Sequence, residues 1–200
     1  MASGEFFVEH GAGLRSTFEP PPTAESPPPP QNATELGLSI LQEILEQTTS
    51  RGKPPAAPQP EYAEIFLERP ITNAFAIQID LASRLTAGGL EFGPYQNTNR
   101  GGGYRLVYTP GAAAALTLIR LTSAGSSVVE TTDKPLKFED GRRHTVLWTR
   151  DKNAEMAVAV DGHEIMRVTD RSTKSGFAGF TLINRGGDYG VRALTIEGSN

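Results

Sequence analysis

From residue 61 onward, apolar and polar residues alternate with a period of two. The pattern predicts strands at 62–68, 74–82, 88–93, 103–109, 115–122, 127–132, 144–150, 154–161, 163–168, 177–183 and 189–197. In the second of these, Phe75, Ile77, Ile79 and Leu81 fall on one face, as a strand with one buried side requires. Turn residues separate the runs at Gly88-Gly89, Asn97 to Gly103, Pro110-Gly111, Gly125, Asp140-Gly141, Asp151 to Asn153, Asp161-Gly162 and Gly186-Gly187. Asp161-Gly162 reads most clearly, because a two-residue hairpin turn needs positive φ at both positions. Short, evenly spaced strands with no helical period between them predict an all-β, antiparallel two-sheet sandwich of jelly-roll type. Trp148, alternating with Val146, is expected in its core.

The period changes before residue 61. Residues 1–31 read as an extended Pro-rich N-terminal arm, because Glu19-Pro-Pro-Pro22 and Ser26-Pro-Pro-Pro-Pro30 favour polyproline geometry. Phe6, Phe7, Val8, Leu14 and Phe18 interrupt this arm, and exposed phenylalanines serve a purely solvated linker poorly. They are therefore candidate partner-binding anchors. Residues 32–49 carry an amphipathic helical pattern in which Leu36, Leu38, Ile40, Leu41, Ile44 and Leu45 recur at three- and four-residue steps. Asn32 with Glu35 supplies a capping signature. Leu38, Leu41 and Leu45 are its candidate partner contacts, and docking on the chain's own β domain stays open as the alternative. Residues 50–60 are a Pro-rich linker, and 61–200 the β-sandwich domain.

Charge divides at the same boundary. Seven glutamates against Arg15, Arg51 and Lys53 put the whole net charge of −4 on the first 60 residues and leave the sandwich neutral. Neither a nucleic-acid backbone nor an anionic bilayer finds a basic patch to bind. With no cysteine, disulfides, thiol chemistry and cysteine-ligated zinc are excluded. No run approaches the ~18 apolar residues of a membrane-spanning helix. The first ten residues lack the basic and apolar regions of a secretory signal, and Ala2 replaces the glycine that myristoylation needs. The expected location is the cytoplasm or the cytoplasmic face of a complex.

Several motifs carry a resemblance. Gly141-x-x-His-Thr-Val-x-Trp148, Val158-Ala-Val-Asp-Gly162, Gly176-Phe-Ala-Gly-Phe180, Asn184-Arg-Gly-Gly-Asp188 and the closing Val191-x-x-Leu-x-Ile196 resemble the concanavalin A-like lectin/glucanase superfamily, laminin-G-like jelly rolls above all. The resemblance spans residues 61–200 and implies the sandwich fold. Glucanases of this superfamily carry a Glu-x-Asp-x-Glu strand, which sets two carboxylates on one face for glycoside hydrolysis. This chain has no such triplet, and Glu139-Asp140 are adjacent and diverge. Laminin-G-like domains suggest calcium at a sheet rim, for which Asp151, Asn153, Asp161, Asp170 and Asp188 are the available oxygens; none forms a dense ligand run. His10, His144 and His163 are too dispersed for a zinc motif, so no metal and no cofactor is expected. His144 is expected to pack or cap.

Three functions follow. The first is a non-catalytic accessory subunit of a larger protein assembly, such as a membrane complex, capsid or filament, held through the arm and helix. The second is a carbohydrate-binding module, because Tyr95, Asn97, Asn99, Arg100 and Tyr104, and again Asn184, Arg185, Asp188 and Tyr189, combine aromatic, amide and guanidinium groups at predicted loops. The third, a glycoside-acting enzyme, lacks the residues its usual route needs.

Overall fold

A computed structural model describes residues 4–9, 13–18, 62–84, 88–111 and 115–198. The helical pattern of 32–49, with Leu38, Leu41 and Leu45, and the linker 50–60 lie outside the described residues. Residues 2–19 and 61–200 form one compact body. Its described residues form thirteen strands: β1 (Gly4–Glu9), β2 (Gly13–Phe18), β3 (Ala63–Leu67), β4 (Phe75–Ser83), β5 (Gly89–Gln96), β6 (Gly102–Thr109), β7 (Ala115–Thr122), β8 (Gly125–Thr131), β9 (His144–Arg150), β10 (Glu155–Val160), β11 (His163–Thr169), β12 (Gly179–Arg185) and β13 (Tyr189–Gly198). They make a seven-stranded sheet, ordered β1-β2-β13-β4-β9-β10-β11, and a six-stranded sheet, ordered β3-β12-β5-β6-β7-β8. Every strand pair is antiparallel, which gives the two-sheet jelly roll that the alternation predicts.

The front of the chain departs from a continuous extended arm. Gly4–Glu9 and Gly13–Phe18 pair with each other, and β2 adds to β13 through Tyr189–Val191. The physical reason is local: the first proline is Pro20, so every residue before it keeps the N–H that a ladder needs. Phe6, Phe7, Val8, Leu14 and Phe18 thus lie in strand backbone.

Side chains of the two inner faces fill the middle. Phe75, Ile77, Ile79 and Leu81 are all buried, as are Val146 and Trp148 on β9. Opposite them stand Leu90, Phe92, Leu106, Tyr108, Leu116 and Leu118. The Trp148 ring meets Phe75 edge-on, centroids 5.4 Å apart, the geometry that opposes a positive ring edge to a negative face. At Gly93 a Cβ would lie 2.4 Å from the Tyr104 carbonyl oxygen and 3.0 Å from the Trp148 ring, so only glycine lets β5 lie this close to β6 and to the core. The Asp161-Gly162 turn has φ of 51° and 79°, the doubly positive pair its sequence calls for.

Residues 132–143 carry the chain from the six-stranded sheet to the seven-stranded one. Phe138 plugs this strap into the core against Tyr108, centroids 4.5 Å apart. The Tyr108 hydroxyl bonds the Glu139 carboxylate and accepts the Phe138 N–H at 3.3 Å. Burial, then the Glu139 contact, push the Tyr108 phenol far above its ordinary value.

Candidate functional site

Three connections meet at one rim of the sandwich: the β5–β6 loop, the β7–β8 turn and the β11–β12 loop. Between them lies a polar cleft of about 420 Å³, walled by Gln96 and Asn97, by Arg120 and Ser123, and by Thr173 and Ser175, with Lys174 at its lip. Each wall is locally determined. Asn97 takes φ 67°, a conformation its short amide tolerates, and its carbonyl accepts the Arg100 N–H at 3.1 Å. Asn99 Oδ1 accepts the Gly101 N–H at 3.1 Å, which tightens the same loop. Gln96 Nε2 donates to Ser175 Oγ at 2.9 Å and so joins two walls.

The wall from the β11–β12 loop is held by buried charge. The Arg150 guanidinium is buried and donates to the Asn73 carbonyl and Oδ1, at 2.9 and 2.7 Å, and to the Asp170 and Thr173 carbonyls, at 3.0 and 3.1 Å. One rigid fork thereby fixes the loop that supplies Ser172–Ser175. Arg120 pairs with Asp170 at 3.1 Å and also reaches Ser172 Oγ, while its Nε is buried with no hydrogen-bond partner. Burial alone would raise the Asp170 carboxyl, but hydrogen bonds from the Ser172 hydroxyl and amide, with Arg120, hold it below the usual carboxylate range. An ionised, fully engaged Asp170 is a poor proton donor at neutral pH. What the cleft offers a ligand is amide, hydroxyl and ammonium groups in a fixed frame.

The structure redistributes the sequence-predicted residues. Of the first group, Asn97 lines the cleft and Asn99 shapes its loop. Tyr95 and Tyr104 are buried, at 2% and 0% exposure, and present no open ring face. Burial raises both phenols above their ordinary range. Arg100 turns to the outer side of β3, where it pairs with Glu64 at 3.1 Å and stacks 4.3 Å over Phe66. Arg185 stacks 5.3 Å over Tyr62, which precedes β3, and pairs with Glu91 on β5. The rest of the second group is turn architecture. Asn184 is fully buried and bonds both the N–H and the carbonyl of Gly187 at 2.8 Å; Tyr189 is buried, with its hydroxyl on the Gly88 carbonyl; and Asp188 accepts the Arg84 N–H through its own carbonyl. Sequence reading passed over Gln96, Arg120, Thr173 and Ser175. The Ser/Thr-rich tracts Thr122-Ser123 and Ser172-Thr-Lys-Ser175 at strand ends were the available signal.

Two of the candidate rim carboxylates are used internally. Asp151 accepts the Asn153 and Glu155 amides, at 2.9 and 2.8 Å, and Asp161 accepts the Thr145 amide at 2.9 Å. Among the described residues no group of three or more acidic or imidazole side chains is arranged to hold a metal ion. Nor is any helix among them long and apolar enough to cross a membrane.

No family model and no curated protein matches this chain. Solved structures do. The carbohydrate-binding module CBM66 from Bacillus subtilis superposes with a TM-score of 0.63 at 10% identity, covering 98% of this chain and 94% of its own. The Emp47p carbohydrate recognition domain aligns at a TM-score of 0.57 and 12% identity, over 70% of this chain and 79% of that one. Lactose- and MES-liganded congerin II aligns at 0.52 and 18%, over 68% and 99%. Identities this low speak for architecture alone. The chain has the concanavalin A-like, galectin-type jelly-roll fold.

Proposed function

We propose that this protein is a non-catalytic carbohydrate-binding module that takes a saccharide in the rim cleft between the β5–β6, β7–β8 and β11–β12 connections. The observation that carries the reading is the cleft itself: a preformed polar hollow of about 420 Å³ whose walls supply neutral donors and acceptors from Gln96, Asn97, Thr173 and Ser175. Such groups match the dense hydroxyls of a sugar, and loops held on a rigid sandwich are a common place for them. Kinship of fold with carbohydrate-binding structures supports this reading over that of an accessory subunit, whose anchors in residues 1–60 have no described side chains. The absence of a Glu-x-Asp-x-Glu triplet, and the engagement of Asp170 by Arg120 and Ser172, support binding without turnover.

Glycan-array screening followed by calorimetry on the best ligand tests the assignment. Asn97→Ala and Ser175→Ala are each expected to weaken binding about fivefold, the effect of one lost neutral hydrogen bond of ~1 kcal/mol. An array with no reproducible saccharide, or two variants that bind as the parent does, overturns it.

A further inference from the structure

The two sheets part along the side where β3 and β13 face each other. Two hollows of about 310 and 230 Å³ lie there, and they share Leu67, Phe180 and Leu194, so they form one groove. Its walls are apolar: Ile65 and Leu67 on one side, Leu194 and Ile196 on the other, with Phe180 below. Leu67 is 46% exposed, unusual for a leucine beside a core.

The backbone beside this groove is also incomplete. β13 pairs with β4 along its whole length to Gly198, but with β2 only through Tyr189–Val191. After the bulge at Arg192, residues Ala193–Gly198 have a strand partner on one side only among the described residues. Six residues of open edge span about 20 Å, enough to template another strand. Arg69 stands at one hollow and Arg192 at the other, and neither has an ion-pair partner among the described residues.

We infer that the β3–β13 groove is a docking site for an extended segment of a partner protein, which adds as a strand to Ala193–Gly198, seats alternate apolar side chains against Leu67, Leu194 and Ile196, and carries an acidic residue at each end. The added strand continues the edge on which β2 already pairs, so the ladder needs no rearrangement. Alternation matches the groove because successive strand residues point to opposite faces. The acidic ends match Arg69 and Arg192, whose guanidinium groups favour carboxylates. This inference is independent of the saccharide reading.

The full 200-residue chain, titrated against the fluorescein-labelled, capped peptide Asp-Thr-Val-Thr-Val-Thr-Asp, whose valines and aspartates share one strand face, tests it by anisotropy. Saturable binding is expected, with the lysine-ended counterpart at least about tenfold weaker. Leu67→Glu, a change at a half-exposed position, abolishes binding, and Arg192→Glu reverses the preference between the two peptides. Amide exchange at Ala193–Gly198 slows when the acidic peptide is bound. Equal affinity for both peptides, or no saturation up to about 1 mM, overturns the proposal. So does sedimentation showing a dimer of the chain alone that Leu67→Glu dissolves, which would give the groove to a second copy.

Discussion

His144 Nδ1 lies 2.7 Å from Oδ2 of Asp161, and the opposite ring nitrogen lies 2.9 Å from Asp140. The ring therefore bridges the β10–β11 hairpin turn to the strap that precedes β9. A neutral imidazole carries one N–H and can satisfy one carboxylate, whereas the imidazolium satisfies both.

The bridge makes stability depend on pH with a definite sign. Burial lowers the His144 value, but hydrogen bonds from the ring to Asp161 and Asp140 outweigh it and leave the imidazolium favoured above its ordinary range. A raised histidine contributes stability in full below the unfolded value of about 6.5, and loses it as pH rises through the folded value. Asp140 and Asp161 are held low, the first by the Arg142 amide and His144, the second by the Thr145 amide and His144 against burial. Their share is present above the ordinary carboxylate value of about 3.9 and is lost as pH falls through the folded one. The Tm gap between parent and His144→Gln should thus be widest between about pH 4 and 6.5 and narrow at higher pH. Calorimetry across that range checks it; a gap of constant width would contradict the bridge.

Gly93 is a second point of control. Its missing side chain leaves room for the Tyr104 carbonyl and the Trp148 ring, at 2.4 and 3.0 Å from where a Cβ would sit. Backbone cannot retreat as a flexible side chain can, so Gly93→Ala should cost about 2–3 kcal/mol by overpacking. Urea unfolding measures the loss. Because Trp148 is the only tryptophan, its emission in the folded variant should shift as well.

The sheet frame around these two residues was readable in the sequence, although neither contact was. Alternation located the strands of the sandwich, the inward row on β4 and the Asp161-Gly162 turn, because each is a short-range property of a two-residue period. The strand character of Gly4–Glu9 escaped notice because the prolines from Pro20 onward coloured the whole front of the chain. The tyrosines beside the Asn97 loop were harder for a different reason. Tyr95 and Tyr104 flank a polar loop in sequence, yet both lie in paired stretches of β5 and β6 where their rings are buried. The cleft was the least legible part, since Gln96, Arg120 and Ser175 meet only when three distant connections reach one rim.

Arg150 tests how that rim is supported. Its guanidinium satisfies three backbone carbonyls and the Asn73 amide oxygen from a position that is 2% exposed. Arg150→Met keeps the apolar stem but strips the donors, leaving acceptors buried without partners, at a cost of about 3 kcal/mol. Arg150→Lys keeps the charge but cannot fork, and should recover less than half of the loss. Denaturant midpoints for the two variants decide this. Equal stability of parent and methionine variant would contradict the support that Arg150 gives the loop of Ser172–Ser175.

Asn184 and Asn97 separate a turn residue from a ligand contact. The Asn184 side chain closes its loop by bonding the N–H and carbonyl of Gly187, both at 2.8 Å and fully buried, while Asn97 is exposed at the cleft. Removing the Asn184 amide strands two backbone groups, so Asn184→Ala should cost about 2 kcal/mol in thermal or urea unfolding. Its saccharide affinity, measured well below the midpoint, should equal that of the parent. Asn97→Ala should behave inversely, with weakened binding and a stability loss of only about 1 kcal/mol, the cost of alanine at this positive φ. A large stability loss at Asn97, or a selective loss of sugar at Asn184, would move the binding surface from the β5–β6 loop to the Gly186-Gly187 turn.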